Sequence, residues 1–404
     1  MAFFRNDAIN RVNLHSGIQA LAQGAGGIFF LVYLLHAGVS VPLALLAQSA
    51  ILALRFVLRP ALVPVAKRVG LKPLVVAGTL ALAVQYPILA EVDGVGGLLI
   101  ALVVAAAIGE VLYYPAYNAY FAALGDAEHR GHQVSAREAL VAAISIAAPV
   151  LGTWALVTLG PQPMFAAVGL IQALAVVPLV GVPGVPVKRQ APGALRWARP
   201  GIVLYALDAW FDAWFFMVWP IALFLAVDES FATYGGAMAL AALVGAAFGL
   251  VLGRAVDMGH GRRVVAVACS VAAAVILLRS ASLGSPWLAV GANALGGLVM
   301  PLILPALGGA TYNLAKASPC PLRFSVVAEG GWDLGCIAGC LTAAALSAAG
   351  VPLSAMLLLA LPGVAVMGLV LWRYYPANGR PLPAAPATIG GGINPPAAGP
   401  RREA

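Results

Sequence analysis

Charged side chains are scarce in this sequence. They make up 9% of its 404 residues, whereas soluble domains carry about 25%. Hydrophobic residues make up 62%, and the mean hydropathy is +0.95. No water-soluble fold buries that much apolar surface, which excludes a soluble enzyme or binding domain. A membrane-spanning helix needs roughly 20 apolar residues, so a chain of this length has room for about a dozen.

Cysteine and several functional motifs are also scarce or absent. The four cysteines, Cys269, Cys320, Cys336 and Cys340, lie in or beside apolar stretches, and no Cys/His set has the spacing of a metal site. The sequence lacks a Gly-x-x-x-x-Gly-Lys-Ser/Thr motif and therefore an ATP-hydrolysing site. No nucleophile–base constellation points to an enzyme, and no short apolar segment with a cleavage site points to a signal peptide. We expect no cofactor and no metal.

Twelve apolar stretches predict twelve transmembrane helices. They cover residues 14–37, 41–59, 73–92, 96–122, 136–159, 163–183, 200–226, 232–253, 264–282, 286–314, 324–349 and 352–374. The Pro- and Gly-containing stretch 184–199 predicts a linker between an N-terminal half, 1–183, and a C-terminal half, 200–375. The tail 376–404, rich in Pro, Ala and Gly, is expected to be disordered.

Basic residues predict the orientation. All of the 23 Lys and Arg residues except Arg279 are assigned to one side, including Arg55 and Arg59 at the predicted end of helix 2. Acids mark the other side, for example Asp93 and Glu229. Lys and Arg favour the cytoplasmic side, so both termini are expected to be cytoplasmic. This asymmetry accounts for the net charge of +8 without nucleic acid.

A basic, Gly-rich turn joins predicted helices 8 and 9. It contains Gly253, Asp257, Gly261, Arg262 and Arg263. A weaker copy between helices 2 and 3 carries Lys67 at the Asp position, followed by Arg68, Gly70 and Lys72. The turn resembles the loop signature of the major facilitator superfamily (MFS).

The resemblance implies an all-α polytopic fold of 12 helices, in two six-helix bundles related by a pseudo-two-fold axis. It also implies a secondary active transporter that works by alternating access. We expect a monomer in a bacterial inner membrane. Its partners would be the lipid bilayer, a small-molecule substrate and protons, with no nucleic acid.

Four carboxylates fall inside predicted spans: Glu110, Asp208, Asp212 and Asp333. Charged residues in spans are rare and usually functional. Asp208 and Asp212 share one helix face, and Asp212 lies roughly 18 Å from the cytoplasmic end by the helical rise. We interpret Glu110 and Asp212 as cavity-lining, proton-carrying acids. The alternative is that each is a neutral, hydrogen-bonded packing residue.

Uncharged polar and aromatic residues extend the candidate substrate site. Gln19 and Gln23 lie one turn apart on helix 1, Tyr113 and Tyr117 flank the Glu110 face, and Asn293 lies in helix 10. Such amides usually face the interior of a bundle, where they bind a polar ligand or another helix. The aromatic residues of helix 7, which include Trp210 and Trp214, either stack on a ligand or pack against lipid.

A cytoplasmic latch is implied by the resemblance. The family places the loop after helix 2 near the start of helix 11, and the loop after helix 8 near helix 5. These positions would pair Lys67 with Glu329, which lies one turn before Asp333, and Asp257 with Arg137. Ser135 and Glu138 also fit a capping box at the start of helix 5.

The substrate class remains open from the sequence. Acids without a buried basic partner favour a neutral or cationic organic solute. One alternative is an anionic metabolite bound by Arg55 and Arg59 near the inner mouth. Another is a sensor or scaffold that has this fold and transports nothing.

Overall fold

The computed structural model describes residues 6–125, 130–187, 194–256, 261–318 and 320–375. Within them, 12 helical spans are long and apolar enough to cross a membrane, which confirms the predicted number. The spans are numbered here in chain order, and the first six and last six form the two bundles. Asp257 and the tail 376–404 lie outside the described residues, and the division at 184–199 stays a prediction.

Seven spans are single α-helices. Span 2 is Val41–Val69, span 3 Leu71–Ala90, span 4 Gly97–Leu124, span 5 Arg130–Leu159, span 8 Phe231–Val256, span 9 Gly261–Ser282 and span 11 Pro321–Ala348.

The other five spans consist of shorter pieces. Span 1 is Asp7–Ala25, a 3₁₀ turn Gly27–Phe29, and Phe30–His36; span 6 is Pro161–Leu174 and a 3₁₀ turn Val177–Leu179. Span 7 is Ala194–Asp212, a π-helical segment Ala213–Val218, and Trp219–Ala226. Span 10 is Pro286–Gly296 and Val299–Ala317, and span 12 is Leu353–Leu357 and Ala360–Tyr374.

Span 2 continues past its predicted end at residue 59. Pro60 and Pro64 lie inside the helix, which ends at Val69. Proline often ends a helix in soluble proteins, because it removes a backbone N–H and its ring crowds the preceding turn. Membrane helices tolerate such residues, since neighbouring helices satisfy the freed carbonyls. Arg55 therefore lies at the middle of the span, and its assignment to a cytoplasmic rim was wrong.

Span 5 begins earlier than predicted. The helix already includes Arg130, so Ser135 lies inside it rather than at its N-cap. The capping box of Ser135 and Glu138 was therefore wrong. Glu138 instead accepts hydrogen bonds from its neighbour Arg137.

Spans 7 and 11 pack closely because of a row of glycines. Gly331, Gly335 and Gly339 recur every four residues, so they share one face of span 11. A Cβ at Gly331 or Gly335 would overlap the backbone of Ile202 or Ala206 on span 7. Small residues of this kind allow two membrane helices to approach closely. This packing brings the polar residues of spans 7 and 11 together.

Contacts between the bundles occur toward both membrane faces. At the face that carries the loop between spans 2 and 3, here called the basic face, Leu62 and Leu322 belong to one buried cluster. Toward the opposite face, the Phe29 ring lies 5.9 Å from the Tyr234 ring. The Tyr234 hydroxyl donates to the Ile28 carbonyl at 2.9 Å. Residues of the interface that lie between these two layers of contact are therefore enclosed on both sides.

Candidate functional site

Asp333 is the centre of a buried ion network. Its side chain is 0% exposed. Oδ1 accepts from Arg55 Nε at 2.7 Å and from Arg55 Nη2. Oδ2 accepts from Arg59 Nε at 2.8 Å and forms an ion pair with Arg59 Nη2 at 2.5 Å. One carboxylate on span 11 therefore holds two guanidinium groups on span 2. Paired, charge-assisted hydrogen bonds of this kind are among the strongest in proteins.

Each arginine has a second carboxylate partner. Arg55 Nη1 donates to Glu110 Oε2 at 2.6 Å, and Arg59 Nη1 donates to Glu329 Oε2 at 3.0 Å. Asn118 Nδ2 donates to the other oxygen of Glu329 at 3.2 Å. Spans 2 and 4 of the first bundle are thereby tied to span 11 of the second. The ion network consists of three carboxylates and two guanidinium groups.

Matched spacing on two helices makes this arrangement possible. Arg55 and Arg59 lie one turn apart on span 2, and Glu329 and Asp333 lie one turn apart on span 11. Residues at that spacing project from the same helix face. When the two faces meet, both arginines reach Asp333, and Arg59 also reaches Glu329.

The site continues into span 7 through Trp332. The Arg55 guanidinium lies 5.0 Å from the centre of the Trp332 ring. Trp332 Nε1 donates to Asp212 Oδ2 at 3.0 Å, and within the described residues Asp212 Oδ1 has no hydrogen-bond partner. Asp208 is buried one turn before Asp212. Cation–π and hydrogen-bond contacts thus connect Glu110 with Asp212 through Arg55 and Trp332.

Span 1 contributes amides toward the same region. Gln23 Nε2 donates to the Tyr114 hydroxyl at 3.1 Å, and Tyr114 lies one turn beyond Glu110 on span 4. Gln19 is buried, and among the described residues its Oε1 has no partner. Buried polar groups normally have a hydrogen-bond partner, so this free acceptor suits a ligand or a water molecule.

Tyr113 and Tyr117 belong to a separate cluster. Their rings stack at 5.3 Å, and Tyr113 OH lies 3.0 Å from His15 Nε2. His15 Nδ1 lies 2.7 Å from the Ala175 carbonyl, so Nδ1 carries the hydrogen and Nε2 accepts from the tyrosine. These side chains join spans 1, 4 and 6. The structure places Tyr114, rather than Tyr113 or Tyr117, beside the Gln23 amide.

Asn293 on span 10 joins two other spans. Its Oδ1 accepts from Trp219 Nε1 at 2.9 Å, and its Nδ2 donates to the Ala237 carbonyl at 2.8 Å. Both ends of the amide are therefore occupied by spans 7 and 8. Of its two predicted roles, contact with another helix is the one that this geometry favours.

The predicted latch pairs are replaced by other contacts where the structure describes them. Glu329 binds Arg59, whereas the Lys67 side chain is exposed and forms no ion pair with any described residue. Arg137 bonds Glu138 at 2.5 Å and lies 4.8 Å from the centre of the Phe121 ring. The partner predicted for Arg137, Asp257, lies outside the described residues.

The sequence interpretation also missed the basic partners of the buried acids. It treated the acids as lacking buried counter-charges, but Arg55 and Arg59 are both buried and ion-paired. The signal that was available is the one-turn spacing of two arginines in an otherwise apolar stretch. Trp332, which connects Asp212 to Arg55, had no recognisable sequence signal.

Comparisons with known proteins agree with this architecture. The model of the family described as Major Facilitator Superfamily matches residues 16–210, which takes in spans 1–6 and the start of span 7. No curated protein sequence matches the chain.

Three solved structures resemble the chain over most of its length. A POT family transporter in complex with 5-aminolevulinic acid has 10% identity and a TM-score of 0.68, covering 91% of this chain and 96% of that one. An auto-inhibited POT family peptide transporter has 14% identity and a TM-score of 0.69, covering 93% and 99%. The human organic anion transporter MFSD10 (TETRAN) has 16% identity and a TM-score of 0.67, covering 90% and 99%. At these identities the likeness is one of fold.

Proposed function

We propose that the chain is a member of the major facilitator superfamily, whose family model matches residues 16–210, and that it is a secondary active transporter of a small organic solute. It works by alternating access as a monomer in a bacterial inner membrane and catalyses no covalent reaction. The observation that carries this proposal is the ion network centred on Asp333. The network ties spans 2 and 4 of one bundle to span 11 of the other.

Alternating access requires the bundles to separate on one side at a time. Opening between spans 2 and 11 separates Arg55 and Arg59 from Asp333. Breaking a buried pair leaves uncompensated charge, which is strongly unfavourable. A substrate or a proton that compensates the freed charges therefore biases the equilibrium between the two conformations.

The charge balance favours a cationic or neutral solute. The ion network has one more carboxylate than guanidinium groups, and Asp208 and Asp212 add two more acids beside it. The excess negative charge attracts a cation or is neutralised by bound protons. An anionic substrate is disfavoured, because it would have to displace a carboxylate from Arg55 or Arg59.

Proton coupling is assigned to Glu110. Of the two arginines in the ion network, this carboxylate contacts only Arg55. Its side chain is 21% accessible, which is more than that of the other two carboxylates of the network. Protonation would weaken its bond to Arg55 while Asp333 retains its hold. Asp212, whose Oδ1 lacks a partner among the described residues, is the second candidate proton acceptor.

The test begins with a thermal-shift screen of purified protein against amines, amino acids, peptides and carboxylates, because a bound ligand stabilises the native state. Each stabilising compound is then assayed for uptake into proteoliposomes, with and without an imposed proton gradient. We expect gradient-driven uptake of a cationic or neutral compound. Ligand binding without any flux would instead indicate a sensor or scaffold.

A pair of variants separates coupling from transport itself. Glu110→Gln should abolish accumulation driven by the proton gradient while leaving substrate exchange between the two sides. Asp93→Asn, an exposed loop acid, is the matched control and should behave as wild type. Gradient-driven accumulation that survives in Glu110→Gln would remove this residue from the coupling mechanism.

A further inference from the structure

Arg279 on span 9 is a buried cation outside the ion network. Its relative accessibility is 4%, and it forms no ion pair with any described residue. An isolated ionised side chain in an apolar interior is strongly unfavourable unless it is paired and hydrogen-bonded. The guanidinium group stays charged in proteins. Its surroundings must therefore account for its positive charge.

The π-helical segment of span 7 explains why the arginine is held there. The Trp219 N–H donates to the Trp214 carbonyl, which leaves the Phe215 carbonyl without its usual α-helical donor. The next residue in register, Pro220, has no N–H to offer. Arg279 Nη1 supplies the missing donor to the Phe215 carbonyl at 3.3 Å.

Two aromatic rings clamp the same guanidinium. Its central carbon lies 3.8 Å from the centre of the Phe215 ring and 4.6 Å from that of Trp219. Such contacts orient a cation and offset part of its desolvation. These ring contacts do not neutralise the positive charge of the guanidinium group.

Two N–H donors, one on Arg279 itself and one on a neighbouring tryptophan, lack an acceptor. Arg279 Nε and Trp214 Nε1 are both buried, and neither has a hydrogen-bond partner within the described parts of the chain. Both residues line one cavity of about 10 Å³, together with Phe215, Ile276, Leu357 and Ala360. Buried donors without an acceptor are uncommon in native structures. Because both residues line the same cavity, one acceptor bound there could serve both donors, and a negatively charged acceptor would also balance the guanidinium charge.

We propose that this cavity binds a small inorganic anion of halide size, such as chloride. A halide accepts both N–H bonds and neutralises the guanidinium charge. A water molecule would accept the same bonds but would leave the charge unpaired and its own hydrogens facing apolar side chains. A volume of about 10 Å³ is close to that needed for a single water-sized particle, so a monatomic anion suits the cavity better than an organic carboxylate.

The experiment measures thermal unfolding of the purified full-length protein at constant ionic strength, while sodium gluconate is replaced stepwise by sodium chloride, bromide or formate. We expect a saturable rise in melting temperature with chloride and bromide, and no saturable rise with formate. Equal melting temperatures in chloride and gluconate would overturn the proposal and leave the cavity to water. Stabilisation by formate would overturn the assignment to halide size.

Two tryptophan variants make the test specific. Trp214→Phe keeps an aromatic ring and removes the unused N–H, so the half-saturating chloride concentration should rise roughly tenfold or more, as expected for a hydrogen bond to a charged group. Trp210→Phe removes an N–H that already donates to the Leu359 carbonyl at 2.9 Å, so its half-saturation should equal that of wild type. Arg279→Met removes the cation and should abolish the chloride response. If that variant does not fold, an unchanged chloride response in Trp214→Phe still contradicts the proposal.

Discussion

Replacing Asp333 by asparagine tests the centre of the ion network. The carboxylate receives N–H bonds from Arg55 on one oxygen and from Arg59 on the other, and its side chain is fully buried. Asparagine keeps the volume, but its amide nitrogen can only donate. One arginine would then face a donor instead of an acceptor, and the negative charge between both guanidinium groups would be lost.

The expected loss is large for a single substitution. Removing one partner of a buried ion pair typically destabilises a protein by about 3–5 kcal/mol. We take the lower end, ~3 kcal/mol, because Arg55 keeps Glu110 and Arg59 keeps Glu329. A loss of that size changes the equilibrium constant by roughly 100-fold. Part of it will appear as a shift toward conformations in which spans 2 and 11 are apart.

The measurement is equilibrium unfolding of purified protein in mixed detergent micelles, followed by tryptophan fluorescence. Asp93→Asn, which changes an exposed loop acid, should stay within about 0.5 kcal/mol of wild type. A double-mutant cycle adds Arg59→Gln to Asp333→Asn. Because the two residues contact each other, their effects should be non-additive by about 1–3 kcal/mol.

Two results would refute the reasoning. A loss below about 1 kcal/mol for Asp333→Asn would mean that the residue acts as an ordinary neutral hydrogen-bonding group. Additive effects of the two substitutions would mean that Asp333 and Arg59 do not interact in the folded membrane protein.

Three further predictions address the neighbouring elements. Asp212→Asn should fold normally, because the amide oxygen still accepts the indole N–H, but should lose gradient-driven transport in proteoliposomes; full activity would make it a packing residue. Gly335→Leu should abolish folded protein in a size-exclusion assay, because its side chain would overlap the span 7 backbone, whereas Gly291→Ala has open space and should fold normally. The double variant Arg59→Glu/Glu329→Arg, which exchanges the two charges, should recover part of the thermal stability that each single variant loses. A double variant no more stable than the single ones would contradict this pairing.

The number and type of elements could be predicted because they depend on local properties. Runs of apolar residues and the scarcity of charge predict membrane helices without tertiary information. Boundaries were less predictable where proline intervened, as at Pro60 in span 2. That one boundary moved Arg55 from the rim of the predicted helix to its middle, and with it the interpretation of the whole site.

Candidate acids were found because a carboxylate in an apolar helix stands out in a sequence. The partners of these acids were not predicted, because a contact such as the Trp332–Asp212 hydrogen bond depends on how spans 7 and 11 pack. The π-helical segment Ala213–Val218 was missed for a similar reason. The Phe215 carbonyl, which lacks its α-helical donor in that segment, accepts a hydrogen bond from Arg279 of span 9 instead.

The two buried arginine sites differ in a way that bears on their roles. Arg55 and Arg59 are matched by three carboxylates carried on two bundles, so a relative movement of the bundles must rearrange these charges. Arg279 is bound to a carbonyl and two rings of span 7, which belongs to the same bundle as span 9. Movement between the bundles therefore leaves its contacts intact. The first site is suited to couple charge to conformational change, and the second is suited to keep span 7 in one shape while that change occurs.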